Sequence, residues 1–174
     1  MKVATTLTVN GTAYPVELDP HVSLLKAVRE ELGLTGSKEG CDDSECGACM
    51  MLLDGQPVNA CSFLALQAEG RAVTTVEGLA GEDEVGPLQR AFLQQGGVQC
   101  GFCTPGMLVS ATALLRDNPD PTEEEIRIGL SGNLCRCTGY RGIVAAVRQV
   151  ASGDVPPLGT APVHADATPP HHAG

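Results

Sequence analysis

The sequence predicts an α+β protein made of two halves in series, a small mixed sheet with one crossing helix followed by a helical bundle. Three observations carry this. Up to about residue 76 the chain reads as short runs of strand character, punctuated by the turn pairs Asn10-Gly11 and Asp54-Gly55. Beyond about residue 78 the apolar positions recur at the spacing of helices. The eight cysteines fall four to each half.

In chain order, Val3–Val9 and Thr12–Leu18 read as two strands joined at Asn10-Gly11, a strong two-residue hairpin signal. Ser23 is an N-cap candidate, and Leu24, Leu25, Val28 and Leu32 give helical spacing up to Gly33. A glycine-containing loop, Gly36 to Gly47, follows. Then come a strand at Met50–Leu53, the Asp54-Gly55 turn, a short strand near Val58 and a last strand at Arg71–Val76. Four helices are predicted after that: Leu88–Gln95, Pro105–Arg116, Glu123–Leu130 and Ile143–Ala151. Thr122 with Glu125 forms a capping box behind Pro121, and Asn118-Pro119 stops the helix before it. Four helices with short connections predict a bundle. The domains are set at 1–77 and 78–153, with a linker near Gly78–Gly86. A tail at 154–174, rich in Pro, Ala, Gly and Thr, holds His164, His171 and His172. Such a tail reads as a disordered or surface-wrapping extension rather than a metal site.

Of the 174 residues, 43% are hydrophobic but only 3% aromatic, with no Trp, so Leu, Val and Ala must fill the core and bound metal is the obvious additional support. The net charge of −10 argues against nucleic acid or an anionic membrane surface as partner. It is read as solubility. No apolar run of signal-peptide length opens the chain, and none approaches the ~20 residues of a membrane span. A soluble, cytoplasmic protein without direct membrane insertion is expected. In that compartment eight cysteines point to metal ligation before disulfides.

Cys41, Cys46, Cys49 and Cys61 are spaced C-x4-C-x2-C-x11-C. The first three have the plant-type ferredoxin spacing of 2Fe–2S clusters. An anionic cluster needs a loop that wraps it with backbone N–H groups turned towards sulfur, and Gly40, Gly47 and Ala48 allow that approach. Lys38 reads as a solvated lysine. A structural zinc site is the rival, but zinc favours two short CxxC-type knuckles, which this rhythm fits poorly. Cys100, Cys103, Cys135 and Cys137 are spaced C-x2-C-x31-C-x1-C, each pair ahead of a predicted helix, where free N–H groups and the dipole favour an anion. By spacing alone a thioredoxin-like redox pair at Cys100 and Cys103 remains open here, although that motif wants a strand–helix setting in a parallel sheet.

The segments GCDDSECGAC (40–49), QCGFCTPGM (99–107) and GNLCRCTGY (132–140) together resemble the iron–sulfur subunit of the xanthine oxidase family of molybdenum hydroxylases. TVEGLA (75–80), PLQRAF (87–92) and NPDPTEEEIR (118–127) fit the same pattern, which runs from about residue 5 to 152. Met50 stands where the family often has Thr, and Gly86 where it often has His. The resemblance implies an N-terminal β-grasp, ferredoxin-like 2Fe–2S domain and a C-terminal four-helix-bundle 2Fe–2S domain, with all eight cysteines as ligands. It implies a large partner subunit holding a molybdenum–pterin cofactor, and a medium FAD subunit or, in some members, a cytochrome acceptor. It places the helical-half cluster next to the pterin and the other on the exit side. It gives Gln99 a pterin contact, where the residue on its own reads as an ordinary polar neighbour of the cluster. The implied reaction is hydroxylation or oxidation at carbon with oxygen from water, or its reverse, with the two electrons leaving singly through this chain. No Ser–His–Asp or paired-carboxylate arrangement suggests a substrate site here. The alternatives are a free-standing two-cluster ferredoxin and a zinc-stapled binding module.

Overall fold

The computed structural model describes residues 1–80 and 85–155. The hairpin forms as expected: β1 (Val3–Val9) pairs antiparallel with β2 (Thr12–Leu18). Asn10 and Gly11 take φ of 51° and 80°, both left-handed as a type I′ turn requires. β3 (Met50–Leu53) and β4 (Gln56–Asn59) form a second hairpin, and β5 (Ala72–Thr74) lies between the two in the order β2-β1-β5-β3-β4. Only the β1–β5 pairing is parallel among the described strands. This mixed sheet wraps one crossing helix, the β-grasp arrangement. Its core joins Leu7, Val9, Leu18, Met51, Leu53 and Val73 of the sheet to Leu24, Leu25 and Val28 of the helix.

The crossing helix differs from the expected single helix reaching Gly33. α1 (Leu24–Lys26), with Ser23 accepting the Lys26 N–H at 3.3 Å, passes at once into a π-turn over Ala27–Glu31. The closure explains the widening. Gly33 is left-handed at φ 73°, and Leu34 donates its N–H to the Val28 carbonyl at 3.1 Å, one residue further back than in the usual glycine-capped ending. From this turn the Arg29 guanidinium reaches the carbonyls of Thr35 and Ser37 at 2.8 and 2.7 Å, tying down the entry to the cysteine loop.

The last strand is shorter than predicted, ending at Thr74 before a 3-10 turn at Val76–Gly78. The Asn10 side chain takes over the ladder there. It accepts the Thr75 N–H and donates to Thr75 Oγ1, both at 2.9 Å. Asn10→Ala is expected to cost about 1–3 kcal/mol, from two lost hydrogen bonds and a side chain forced left-handed without local support. Thermal unfolding of the holoprotein checks it, and an unchanged Tm would refute the role.

The helical half contains α2 (Pro87–Gln94), α3 (Thr104–Asp117), α4 (Glu123–Gly129) and α5 (Arg141–Ala151). The capping box at α4 is present, with Thr122 N–H on Glu125 Oε2 at 2.7 Å and Glu125 N–H on Thr122 Oγ1 at 3.2 Å. α2, α3, α4 and α5 meet around Phe92, Met107, Ile126, Ile143 and Val147. The predicted linker lies partly, and the tail beyond 155 wholly, outside the described residues.

The halves are packed together. β3 is buried along its whole length: Met51 and Leu53 face the sheet's own core, while Met50 and Leu52 pack on Val109 and Ala113 of α3. That double burial explains the unbroken apolar run of β3. Beside it, Asn133, only 3% exposed, donates from Nδ2 to the Gly47 carbonyl at 3.0 Å, and Leu134 N–H reaches the Cys46 carbonyl at 2.9 Å.

Candidate cluster sites

The first four cysteines lie on the loop leading into β3 and just after β4. Asp42 (φ 60°), Ser44 (φ 67°) and Gly47 (φ 68°) are left-handed, which folds the loop into a concave nest. Cys46 N–H points at Cys41 Sγ at 3.4 Å. Asn59 ties the nest to β4, donating to the Ser44 carbonyl at 3.1 Å with its oxygen 3.9 Å from Cys49 Sγ. A Cβ on Gly40 would lie 2.8 Å from Cys46 Sγ, so the expectation that Gly40 leaves room for sulfur holds. Lys38 is less free than expected: its ammonium donates to the Thr35 carbonyl at 2.8 Å and its N–H to Ala48 at 3.0 Å.

The second four sit in the helical half. Cys103 is the N-cap of α3. Cys135 and Cys137 belong to the loop before α5, whose cap is Tyr140 in a left-handed conformation (φ 66°). That second pair is therefore held by its loop rather than by the helix end itself. Cys135 N–H donates to Tyr140 Oη at 2.8 Å, and Thr138 brings both its hydroxyl and its N–H to Cys135 Sγ, at 3.0 and 3.5 Å.

None of the eight cysteines forms a disulfide. They face one another in twos: Cys41 with Cys46, Cys49 with Cys61, Cys103 with Cys135, and Cys100 with Cys137, the last two sulfurs 3.5 Å apart. This is far beyond the ~2.05 Å of a disulfide bond. It is close to the roughly 3.8 Å between two sulfurs sharing one tetrahedral metal at about 2.3 Å. The two pairs of each half also adjoin, Cys49 with Cys46 and Cys103 with Cys100, so four sulfurs share each site.

Environment sorts the thiols. Burial pushes Cys49 and Cys103 up to about 12. Burial also raises Cys46. Cys135 feels the same burial, yet the Thr138 hydroxyl and N–H hold it below the ordinary thiol value. A thioredoxin-like pair at Cys100 and Cys103 would follow a strand of a parallel sheet, whereas the element before Cys100 here is the helix α2. Gln99 is exposed beside the exposed Cys100, and the hydroxyl of Thr104, next to Cys103, is buried without a partner. Two sites of four cysteine sulfurs each, with the Cys46 N–H turned to one sulfur and the Thr138 N–H to another, fit anionic clusters.

The family described as 2Fe-2S iron-sulfur cluster binding domain matches residues 7–80, and that described as 2Fe-2S binding domain matches residues 75–148. The nicotinate dehydrogenase small FeS subunit of Eubacterium barkeri is 51% identical over 147 residues, 84% of this chain and 94% of the relative. The chain belongs to the iron–sulfur small subunits of the xanthine oxidase family of molybdenum hydroxylases. Quinoline 2-oxidoreductase from Pseudomonas putida 86 contains a chain that superposes with a TM-score of 0.85 at 43% identity, covering 88% of this chain and 96% of that one. In the aldehyde oxidoreductase from Desulfovibrio gigas the matching region, TM-score 0.82 at 42% identity, covers 86% of this chain but 17% of the other. As a small subunit of this family the chain carries two 2Fe–2S domains and transfers electrons within a multi-subunit oxidoreductase, which sets aside the free-standing ferredoxin and the zinc module. No helix among the described residues is long and apolar enough to cross a membrane.

Sequence reasoning reached the cysteines and missed the groups that hold them. Asn59, Asn133, Thr138 and Tyr140 act through hydrogen bonds to a loop or a sulfur. The only signal was that Asn133, Thr138 and Tyr140 lie inside GNLCRCTGY.

Proposed function

We propose that Cys41, Cys46, Cys49 and Cys61 hold one 2Fe–2S cluster and Cys100, Cys103, Cys135 and Cys137 the other, each facing pair of thiols serving one iron. The pairing in twos, two pairs per half, is the observation that supports it. Each cluster, when bound, accepts and releases one electron at a time. The chain's own part is to fix the sulfurs, turn N–H groups towards them and keep the two nests in contact through Leu134 and Cys46.

The partners are a large subunit with a molybdenum–pterin centre and an acceptor, FAD on a medium subunit or a cytochrome. The length of the aldehyde oxidoreductase, of which this unit is a minor part, supports a large neighbour. Gln99 would meet the pterin, a role its exposure beside Cys100 supports. The functional domains are taken as 1–77 and 78–153, consistent with the two cores. A cytoplasmic location is supported by eight cysteines assigned as metal ligands with no disulfide among them.

The expected load is about four iron and four acid-labile sulfide per chain. Cys46→Ser should lower iron towards half and remove or alter one EPR signal while sparing the other, because the two sets lie on separate nests. Zinc in place of iron, or both signals lost from a folded chain, would refute the assignment. Untagged purification should bring down a larger chain with molybdenum.

A further inference from the structure

We infer that Thr138 is a positioning residue that raises the reduction potential of the cluster in the helical half, by donating its hydroxyl proton to Cys135 Sγ. The inference rests on the ligand role proposed above for Cys135 and adds a residue outside that set.

Over residues 135–140 the hydrogen bonds close into a ring. Cys135 N–H donates to Tyr140 Oη at 2.8 Å, Tyr140 N–H donates to Thr138 Oγ1 at 3.2 Å, and Thr138 Oγ1 lies 3.0 Å from Cys135 Sγ. The direction of the last bond is set once Cys135 is an iron ligand. A hydroxyl carries one proton, and Thr138 Oγ1 already accepts from Tyr140, so its proton is free to point at sulfur. An iron-bound cysteine is a thiolate with no proton to give. Only Thr138 can then be the donor.

The backbone is bent to make this ring. Gly139 (φ 63°) and Tyr140 (φ 66°) are successive left-handed residues, an unfavourable conformation for an aromatic side chain. Their turn brings the phenol back to Cys135 and fixes the hydroxyl over the sulfur. Among the described residues Thr138 is the one hydroxyl within hydrogen-bond reach of a cysteine sulfur. The effect should therefore fall on one cluster only. A donor at a ligand sulfur draws negative charge away from iron, and the reduced cluster carries one more negative charge than the oxidised. The donor favours the reduced form. One electron still enters and leaves, with no proton transferred and no bond broken.

The test uses the full chain in its complex, with EPR-monitored redox titration of each cluster and iron analysis. Thr138→Val keeps the shape and removes the hydroxyl, and Thr138→Ser keeps the hydroxyl. Thr138→Val is expected to lower the potential of one cluster, changing its reduced-to-oxidised ratio at fixed potential by several-fold (tenfold corresponds to about 59 mV for one electron). The other cluster should stay put, and Thr138→Ser should titrate like the unaltered protein. An unmoved potential in Thr138→Val, an equal shift in both clusters, or the same shift in Thr138→Ser would overturn the inference. If Thr138→Val retains too little iron to titrate, full iron in Thr138→Ser supports the hydroxyl and equal depletion overturns it. Failure of the ligand assignment is separately visible, as full iron in Cys135→Ala.

Discussion

Stripping iron from the reduced protein with a chelator is expected to open residues 36–47 to protease while the sheet around Leu7, Met51 and Val73 stays folded. Within that loop only Ser37 and Gly47 are buried, and Glu39, Gly40, Asp42, Asp43 and Glu45 are exposed. Ordering a residue costs roughly 1–2 kcal/mol, so this loop's twelve residues cost on the order of 12–24 kcal/mol. The hydrogen bonds that tie it down, such as Arg29 to Ser37, Lys38 to Ala48 and Asn133 to Gly47, contribute about 1 kcal/mol each. The difference has to come from ligation. Trypsin at Lys38 and a glutamate-specific protease at Glu39 and Glu45 should cut the iron-free chain at least tenfold faster than the loaded one. The sheet survives because Cys49 and Cys61, once protonated, behave as small apolar residues inside its core. Equal cleavage at Lys38 with and without iron would refute the coupling.

The parts legible in the sequence are those with local causes. Asn10-Gly11 set the β1–β2 register because both residues tolerate left-handed backbone. The Thr122–Glu125 box fixed the start of α4 within one turn. The first cysteine set was readable because three of its members share one short loop. The π-turn at Ala27–Glu31 was not, because apolar spacing over two turns barely distinguishes it from an α-helix. The early end of β5 depended on Asn10, sixty-five residues away along the chain. The pairing of Cys103 with Cys135 bridges the two cysteine motifs of the helical half, so spacing alone left that site open and only the motif resemblance joined its parts. Thr138 and Asn133 looked like ordinary loop residues. Their roles lie in partners that no local pattern encodes.

Gly106→Ala is expected to destabilise the chain, against what its place in a helix suggests. Gly106 lies in the first turns of α3, where alanine would ordinarily gain about 1 kcal/mol in helix propensity. A methyl group there would run into the Gly47 carbonyl oxygen, and would also lie 3.1 Å from both the Gly47 carbonyl carbon and Asn133 Nδ2. The Gly47 oxygen is backbone, held by Asn133 and flanked by the Leu134–Cys46 bond, so it cannot swing aside as a side-chain tip would. Relief requires α3 to back away from the first cysteine nest, separating Met50 and Leu52 from Val109 and Ala113. Overpacking of this kind typically costs 1–3 kcal/mol, and breaking the Asn133 bond leaves a buried amide worth about 1–3 kcal/mol unpaired. The net expectation is a loss of about 1–4 kcal/mol, read as a lower Tm, with faster iron loss from the first nest than from the second. Gly132→Ala is the control, since a Cβ there meets nothing within 4 Å and should leave Tm nearly unchanged. A Gly106→Ala protein as stable as the original would mean that propensity outweighs the seam, and that the two halves are joined more loosely than the bonds at Gly47 require.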